Sequence, residues 1–330
     1  EDKYYSRNSV AEVYKQIVTD LLDAEKFLKD VPKKSMWRAD INAVRLMLSR
    51  VYLYMCLYEE AEKYAALVTE NGPQLEDLNS FSGKEFLSTN LSELIFSTGA
   101  SSLPGNVTFY SRNDGTEPGF VSGNDMRISN ELYEAYNPRN PIDLRLQYFV
   151  LDYDGSIRYR KLQGETFQTT DLSDVFLMRT AEAWLNLAEA AAWAGDEPKA
   201  RKALNTLREK RIKREFFDES EVNGLTGENL VQFIREERRR ELCLEGHRWF
   251  DLRRYRVAEK YPQEVTVEHV YVNKTYNSST YEYETLWIRK FVLTTDDPAW
   301  VMPLPKAEID KNTGMLDNPR NERGYEDVNN

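Results

Sequence analysis

Apolar residues recur at helical spacing through most of the first 70 positions. A capping-box pattern at Ser9–Glu12 opens a predicted first helix that runs to about Lys29. The same spacing predicts a second helix over about Ile41–Leu57 and a third over about Glu59–Glu70. We expect the third helix to end at Asn71-Gly72-Pro73, because this sequence is a strong C-terminal signal.

A second pair of helices repeats the register of this pair. Helices are predicted over about Asp174–Ala194 and Pro198–Arg211, with a Gly195-Asp196 turn between them. Ala61 in the first pair and Ala200 in the second occupy the position where two helices come closest. This pattern is typical of tetratricopeptide-like helix pairs. The two pairs are separated by a long insert, so the repeat is interrupted rather than tandem.

The insert, about Pro73–Asp171, is rich in Gly, Ser, Asn, Asp and aromatic residues and has few periodic stretches. Such composition predicts mostly loop. Within the insert we expect a short helix over Ser129–Tyr136. We also expect a hairpin of Leu144–Val150 with Ile157–Leu162 that turns at Asp154-Gly155.

The last part of the chain is rich in Tyr and Val. Its alternation predicts strands over Val265–Val272 and Tyr281–Leu293, with Trp287 in a structural role. The predicted fold is therefore mainly α, with tetratricopeptide-like helix pairs, a loop-rich insert and a few short β-strands.

The run Thr226–Tyr255 carries more charge than a surface helix needs. Its charges recur at spacings of three and four, and we list them as Arg238, Glu241, Glu245, Arg248 and Asp251. On one helix face they would alternate as ion-pair partners, and the apolar residues around them predict that several are buried. Gly246 is expected to bend the chain and start a second short helix.

Two interpretations of these charges stay open. The carboxylates of Glu241 and Glu245 could form a catalytic pair, or they could belong to a structural ion-pair network. Each has an arginine three residues away on the same face, which would keep it ionised and hydrogen-bonded. The structural interpretation is therefore favoured.

This charged run resembles the signature of the SusD/RagB family of outer-membrane nutrient-binding lipoproteins. The positions that match the family pattern are Ile234, Glu237, Arg238, Glu241, Leu242, Glu245, Gly246, Arg248, Phe250, Asp251, Leu252 and Arg254. The closing segment Trp300–Ile309, with its Pro-x-Pro element and Glu-Ile, is similar to the end of family members. Thr313 and Asp317 depart from the usual pattern there.

The resemblance implies a single SusD-like domain over residues 1–330. Its parts are expected to be a helical scaffold (1–72), the loop-rich insert (73–171), a helical pair with the signature helix (172–258) and a strand-containing C-terminal segment (259–330). The lipoprotein signal and opening helices of the family are not recognised before Glu1. If they are missing, Ser9–Leu28 should expose an apolar face or be covered by another segment.

Composition excludes several classes of function. The chain has 330 residues, a net charge of -11 and a pI near 5.0, which argues against binding to nucleic acid or anionic lipid. Cys56 and Cys243 are the only cysteines, and His247 and His269 the only histidines. They cannot supply a disulfide framework or a cysteine-built zinc site. No cofactor is predicted, and neither a nucleophile elbow nor a phosphate loop is present.

The insert supplies the candidate ligand-binding residues. Aromatic rings there lie beside amide, carboxylate and guanidinium groups, which can stack on sugar rings and hydrogen-bond to hydroxyls. The candidates are Phe109, Tyr110, Arg112, Asn113, Asp114, Phe120, Tyr153 and Arg158. Packing of each ring beneath its own loop is the alternative. Ligand contacts are not part of the family signature, so this set is a chemical prediction.

The resemblance implies a cell-surface outer-membrane lipoprotein that captures oligosaccharides or other nutrients. It would deliver them to a SusC-type TonB-dependent transporter and would touch the membrane only through a lipid anchor. We therefore predict glycan binding without catalysis. The alternatives are a helical-repeat adaptor that binds peptides and an α-helical glycosidase with two carboxylates about 5 to 10 Å apart. Turnover of a glycan by the pure protein would favour the glycosidase.

Overall fold

A computed structural model describes most of the chain. The described residues are 6–83, 86–99, 128–153, 156–159, 161, 177–312, 314–318, 320 and 322–328. They form two compact units. The first unit is Tyr14–Trp249, and the second unit combines Glu1–Val13 with Phe250–Asn330.

Helices make up most of the regular structure, which confirms the predicted mainly helical fold. The described helices are α1 (Val10–Leu28), α2 (Ile41–Tyr54), α3 (Tyr58–Asn71), α4 (Asn130–Glu134), α5 (Arg145–Phe149), α6 (Thr180–Ala194), α7 (Glu197–Glu209), α8 (Ser220–Asn223), α9 (Gly227–Glu241), α10 (Arg248–Tyr255) and α11 (Lys306–Lys311). The described strands are β1 (Leu94–Ser97), β2 (Val150–Tyr153), β3 (Ser156–Tyr159), β4 (Leu177–Arg179), β5 (Val267–Asn277), β6 (Glu282–Leu293) and β7 (Glu326–Asp327).

The start of α1 has the predicted capping box. The Ser9 amide donates to Glu12 Oε2 at 2.8 Å, and the Glu12 amide donates to Ser9 Oγ at 3.2 Å. None of the residues of α1 is buried, and Val10 and Phe27 are 72% and 81% exposed. The helix therefore exposes several apolar side chains. Its other side packs Leu21, among others, against the core of α2 and α3.

The first helix pair, α2 and α3, packs through small residues. Ala61 is fully buried in one cluster with Leu48 and Tyr52, and Ser49 Oγ donates to the carbonyl of Ala61 at 3.0 Å. Asp40 caps α2, because its Oδ1 accepts from the Ala43 amide at 2.9 Å. Close approach of the two backbones is possible only because alanine leaves room.

The second pair, α6 and α7, turns where the sequence predicts. Gly195 ends α6 with a left-handed φ of 88°, and the Asp196 side chain accepts from the Lys199 amide at 3.2 Å to begin α7. Ala200 of α7 is fully buried in one cluster with Ala188 of α6. The α6 helix is buried along most of its length and also contacts α2, α3 and α9.

Short strands accompany these helices in the first unit. Strand β1 pairs antiparallel with β4, and β2 pairs antiparallel with β3. The predicted first strand, Leu144–Val150, is wrong over most of its length, because Arg145–Phe149 is the helix α5. The Asp143 side chain accepts from the Arg145 amide at 3.0 Å, which starts a helical turn and directs Arg145 inward. The predicted turn at Asp154-Gly155 lies outside the described residues.

The second unit is built on the sheet β5–β6–β7. Strand β5 extends further than predicted, to Asn277, and β6 covers nearly the predicted range; the two run antiparallel, with an irregularity between Asn273 and Lys274. Strand β7 pairs with the outer edge of β6 through Arg289 and Lys290. Trp300 anchors the closing segment of this unit: its ring is fully buried, and its Nε1 donates to the Thr294 carbonyl at 2.7 Å.

Candidate functional site

The charged signature run does not form one continuous helix. Helix α9 buries Leu230 and Ile234 and ends at Glu241. Leu244 and Gly246 then take positive φ values of 58° and 82°, which turn the chain before α10 begins. The prediction of a single helical ladder that includes Glu245 is therefore wrong. The bend predicted at Gly246 is present, but it begins earlier.

Glu241 lies fully buried among three arginines. Arg211 Nε is 3.0 Å from Oε2, and Arg179 Nη1 is 2.5 Å from Oε1. Arg145 Nη1 is 3.1 Å from Oε2. All three arginines come from segments remote from α9, so the sequence spacing within the run did not identify these partners.

Glu245 is held by a second set of cations. Arg179 donates from Nε to Oε2 at 2.9 Å and from Nη2 to Oε1 at 2.8 Å. Lys161 pairs with Oε1 and also donates to the carbonyls of Glu241 at 2.7 Å and Cys243 at 3.2 Å. A buried lysine with three acceptors is fully hydrogen-bonded.

Two further carboxylates complete the arrangement. Glu93 accepts from Arg179 at 2.6 Å and from Arg211 at 2.8 Å, so it bridges the two guanidinium groups. Glu237 lies 2.7 Å from Arg145 Nη1 and 2.7 Å from Arg240 Nη2. We define the buried ion-pair network as Glu93, Arg145, Lys161, Arg179, Arg211, Glu237, Glu241 and Glu245.

The network keeps Glu237, Glu241 and Glu245 ionised. Burial raises the pKa of Glu241, but the charges of Arg211, Arg179 and Arg145 outweigh burial and hold the pKa well below its usual value. The pKa of Glu245 is lowered in the same way, against burial, by Arg179 and Lys161. Burial also raises the pKa of Glu237, but the nearby arginines, with Arg145 contributing most, lower it well below its usual value.

This chemistry fits a structural role. A general acid must hold a proton near neutral pH and reach a substrate, whereas Glu241 and Glu245 are ionised, hydrogen-bonded to several cations and closed to solvent. The predicted structural ion-pair network is confirmed by the burial and pairing of Glu241 and Glu245. Its partners are the remote residues Arg145, Lys161, Arg179 and Arg211.

His247 lies beside the network and stays neutral. Burial lowers its pKa well below the usual value, and the positive charges of Arg50, Arg238 and Arg179 lower it further. Arg238 Nη2 lies 3.5 Å from His247 Nδ1, and a guanidinium can only donate there. The ring therefore acts as an acceptor in a cationic environment.

The predicted ligand-binding residues are distributed unevenly over the described chain. Tyr153 lies at the end of β2 and pairs with Ser156 of β3. Arg158 lies on β3 and pairs with Leu151 of β2. The two residues therefore belong to one hairpin. The other candidates lie outside the described residues: Phe109, Tyr110, Arg112, Asn113, Asp114 and Phe120.

Open clefts of sugar size occur in the described part of the first unit, and two of them lie beside the insert. One, of about 450 Å³, is lined mainly by hydroxyl, amide and carboxylate groups: Glu76, Ser80, Phe81, Ser82, Ser88 and Asn90. The other, of about 340 Å³, is lined by more apolar surface around Tyr133, Leu144 and Leu146. The polar cleft has the chemistry to bind hydroxyl groups.

The described residues offer no site for a metal ion, since they contain no cluster of three His, Cys, Asp or Glu side chains arranged to bind one. Within the same ranges, no helix combines the length and apolar character needed to cross a membrane. The arginines that pair with the buried acids were not identified from the sequence, because they are remote in the chain. No feature of the sequence around Arg145, Lys161, Arg179 or Arg211 indicates that these residues pair with the acids of the signature.

A profile of the SusD family matches residues 63–325 of this chain. Among curated proteins, no sequence matches significantly. The chain is similar to a solved structure from Bacteroides vulgatus that is provisionally named a sugar-binding protein. The two share 27% identity with a TM-score of 0.70, over 96% of this chain and 67% of the other.

Two other solved structures share the fold. A SusD superfamily protein from Bacteroides thetaiotaomicron has 24% identity and a TM-score of 0.72, over 96% of this chain and 68% of that one. A SusD-like carbohydrate-binding protein from Bacteroides vulgatus has 20% identity and a TM-score of 0.57, over 84% of this chain and 58% of that one. The present chain thus spans about two thirds of the first two structures.

Proposed function

This chain belongs to the SusD family, and from that premise we propose that it binds oligosaccharides at the cell surface without transforming them. It would pass the captured glycan to a SusC-type TonB-dependent transporter in the outer membrane, to which a lipid anchor would hold it. The observation that carries the proposal is the likeness, at 27% identity over nearly the whole chain, to a protein provisionally named as sugar-binding.

The state of the buried acids supports binding rather than hydrolysis. A glycosidase needs one protonated and one free carboxylate on either side of a substrate. Glu241 and Glu245 are instead both ionised and both occupied by arginine or lysine. Their role would be to fix the helical frame that carries the binding surface.

We place the ligand site on the insert, with stacking and hydrogen bonding as its mechanism. Aromatic rings would take the apolar faces of sugars, and amide, carboxylate and guanidinium groups would bind the hydroxyls. The proposed residues are Phe109, Tyr110, Arg112, Asn113, Asp114, Phe120, Tyr153 and Arg158. Binding of this kind needs no cofactor.

A glycan array with the purified chain tests the proposal, followed by calorimetry on the best ligand. We expect Tyr110→Ala combined with Arg112→Ala to weaken binding at least tenfold. Arg139→Ala is the control, because Arg139 is an exposed arginine of the insert outside the proposed set, and its carboxylate partner, Glu134, lies 3.9 Å away. Release of new reducing ends during incubation would refute the noncatalytic role. Absence of binding to every glycan would refute the proposal itself.

A further inference from the structure

Around Arg289, the sheet of the second unit groups several aromatic residues on one face. In antiparallel pairs, opposed residues point to the same side, and alternate residues of a strand do so as well. Tyr271 pairs with Arg289, and Trp287 and Phe291 lie two positions from Arg289 along β6. We define the aromatic face as Tyr271, Trp287, Arg289, Phe291 and Tyr325.

Arg289 links these rings into one surface. Its guanidinium carbon is 4.2 Å from the ring centre of Trp287 and 3.8 Å from that of Tyr325. On either side, Tyr271 contacts Trp287 at 5.5 Å between ring centres, and Phe291 contacts Tyr325 at 6.1 Å. The rings are therefore held in place before any ligand arrives.

These rings are not core residues. Tyr271 and Tyr325 are 46% and 49% exposed, whereas Trp300 of the same unit is fully buried. The opposite face of the hairpin at the same level carries the aliphatic side chains of Val270 and Val272. Around Arg289 the aromatic rings therefore lie on one face and these two valines on the other, which sheet stability alone does not require.

The charge on the aromatic face is balanced. Arg289 Nε lies 3.3 Å from Asp327 Oδ1, so its positive charge already has a partner. An anionic ligand would have to compete with that carboxylate, whereas a neutral ligand would not. Asn273 stands opposite Trp287 on the same face and adds an amide that can hydrogen-bond to hydroxyl groups.

We propose that the aromatic face is a second glycan-binding surface, which takes neutral sugar chains by stacking and is separate from the site on the insert. The inference rests on the proposed function for the class of ligand. The exposed sides of Tyr271, Trp287 and Tyr325 would contact the apolar faces of successive sugar rings. Asn273 and Asp327 would bind the hydroxyl groups between them.

Native affinity gels that contain starch, xyloglucan, galactomannan or polygalacturonate, run with the full chain, test the inference. We expect Trp287→Ala and Tyr325→Ala each to weaken binding to a neutral polysaccharide at least fivefold. Tyr276→Ala is the matched control, because Tyr276 is 50% exposed on the same hairpin but points to the opposite face. It should change binding less than twofold.

Tyr325→Ala tests the same surface without a change in the β5–β6 hairpin, because Tyr325 lies outside that hairpin. A loss of binding in this variant is therefore not explained by misfolding of the hairpin. Arg289→Lys is a further variant that keeps the charge but loses the planar stack, and it should weaken binding at least twofold. Circular dichroism at 25 °C must match the wild-type spectrum for each variant used.

The outcomes separate this inference from the proposed function. If the wild type binds a neutral glycan and the two ring variants bind equally well, the second surface is refuted while the glycan-binding function stands. If only polygalacturonate binding is lost, the neutral-ligand assignment is refuted. Unchanged glycan binding with an altered oligomeric state would make the face a protein-docking surface instead. If the wild type retards on no glycan, both proposals fail.

Discussion

Arg211 and Glu241, 30 residues apart in the chain, lie side by side in the core, with Arg211 Nε 3.0 Å from Glu241 Oε2. Both side chains are closed to solvent. Arg211 also donates to Glu93, and Glu241 also accepts from Arg179, so neither charge depends on a single partner. A pair of this kind fixes the position of α9 relative to the segment that follows α7.

Glu241→Gln tests this relationship. The substitution keeps the size of the side chain but removes the negative charge that balances Arg211, Arg179 and Arg145. Because three buried cations then lose a counter-charge, we expect the free energy of unfolding to fall by about 3 to 5 kcal/mol. Urea unfolding followed by circular dichroism measures the change.

Glu236→Gln is the matched control on the same helix. Glu236 is partly exposed and lies 3.7 Å from Arg239, so its removal should cost less than about 1 kcal/mol. Equal costs for Glu236→Gln and Glu241→Gln would contradict the view that burial makes the network stabilising.

The stability of the fold should depend on pH through His247. Its pKa is depressed in the folded protein by burial and by Arg50 and Arg238. Below about pH 6.5 the unfolded chain therefore takes up a proton that the folded chain does not. In this window, the free energy of unfolding should fall by up to about 1.4 kcal/mol for each unit by which the pH is lowered. Above the window, the full contribution is present.

A second window lies at lower pH. The pKa values of Glu237, Glu241 and Glu245 are depressed, so the contribution of these acids is complete above about pH 4.3 and is lost as the pH falls further. His247→Phe should remove the upper window and leave the lower one. His269→Gln, at the exposed histidine of β5, serves as the control and should change neither. A wild-type stability that is constant between pH 6.5 and pH 5 would contradict the assignment to His247.

The helical frame could be predicted because its signals are local. Gly195-Asp196 marks the turn between α6 and α7, and Ala61 and Ala200 mark close helix contacts, all within short stretches of sequence. Each of these features depends on backbone geometry that a few neighbouring residues determine. The strand predicted over Leu144–Val150 is wrong for the converse reason, because Arg145 is buried against acids that lie far away in the chain.

The partners of the buried acids could not be predicted. Arg145 and Arg179 lie 96 and 62 residues from Glu241 in the chain, and only folding brings them together. Similarly, Arg289 contacts both Trp287 on its own strand and Tyr325, which lies 36 residues further along the chain beside β7. The spacing of charges in the sequence predicts that these acids are paired. Which residues pair with them depends on contacts between segments far apart in the chain.

The turn between α6 and α7 gives a test of backbone conformation. Gly195 has a φ of +88°, and a Cβ there would meet no atom within 4 Å, so Gly195→Ala adds strain without a clash. We expect it to lower the free energy of unfolding by about 1 kcal/mol. Gly224 ends α8 with a φ of -81°, and Gly224→Ala should be neutral or stabilise by up to about 1 kcal/mol. Urea unfolding of both variants measures the difference, and similar costs would show that φ is not the cause.

The cations of the network should differ in importance in a definite order. Arg179 serves Glu93, Glu241 and Glu245, whereas Lys161 serves the carboxylate of Glu245 and two carbonyls. Arg179→Met leaves three acids short of a partner, so we expect a loss of about 4 kcal/mol or more. Lys161→Met leaves Glu245 paired with Arg179, so the loss should be smaller, about 2 to 3 kcal/mol.

Lys199→Met provides the exposed comparison for this order. Lys199 is bound to Glu62 at 2.6 Å, but about half of its side chain is exposed to solvent. An ion pair in water contributes less than about 1 kcal/mol, and added salt weakens it further. Unfolding in urea at low and high salt should therefore rank the losses as Arg179, then Lys161, then Lys199, with a salt effect confined to Lys199. A larger loss for Lys161→Met than for Arg179→Met would mean that the two carbonyl bonds of Lys161 stabilise the turn after α9 more than the carboxylates do.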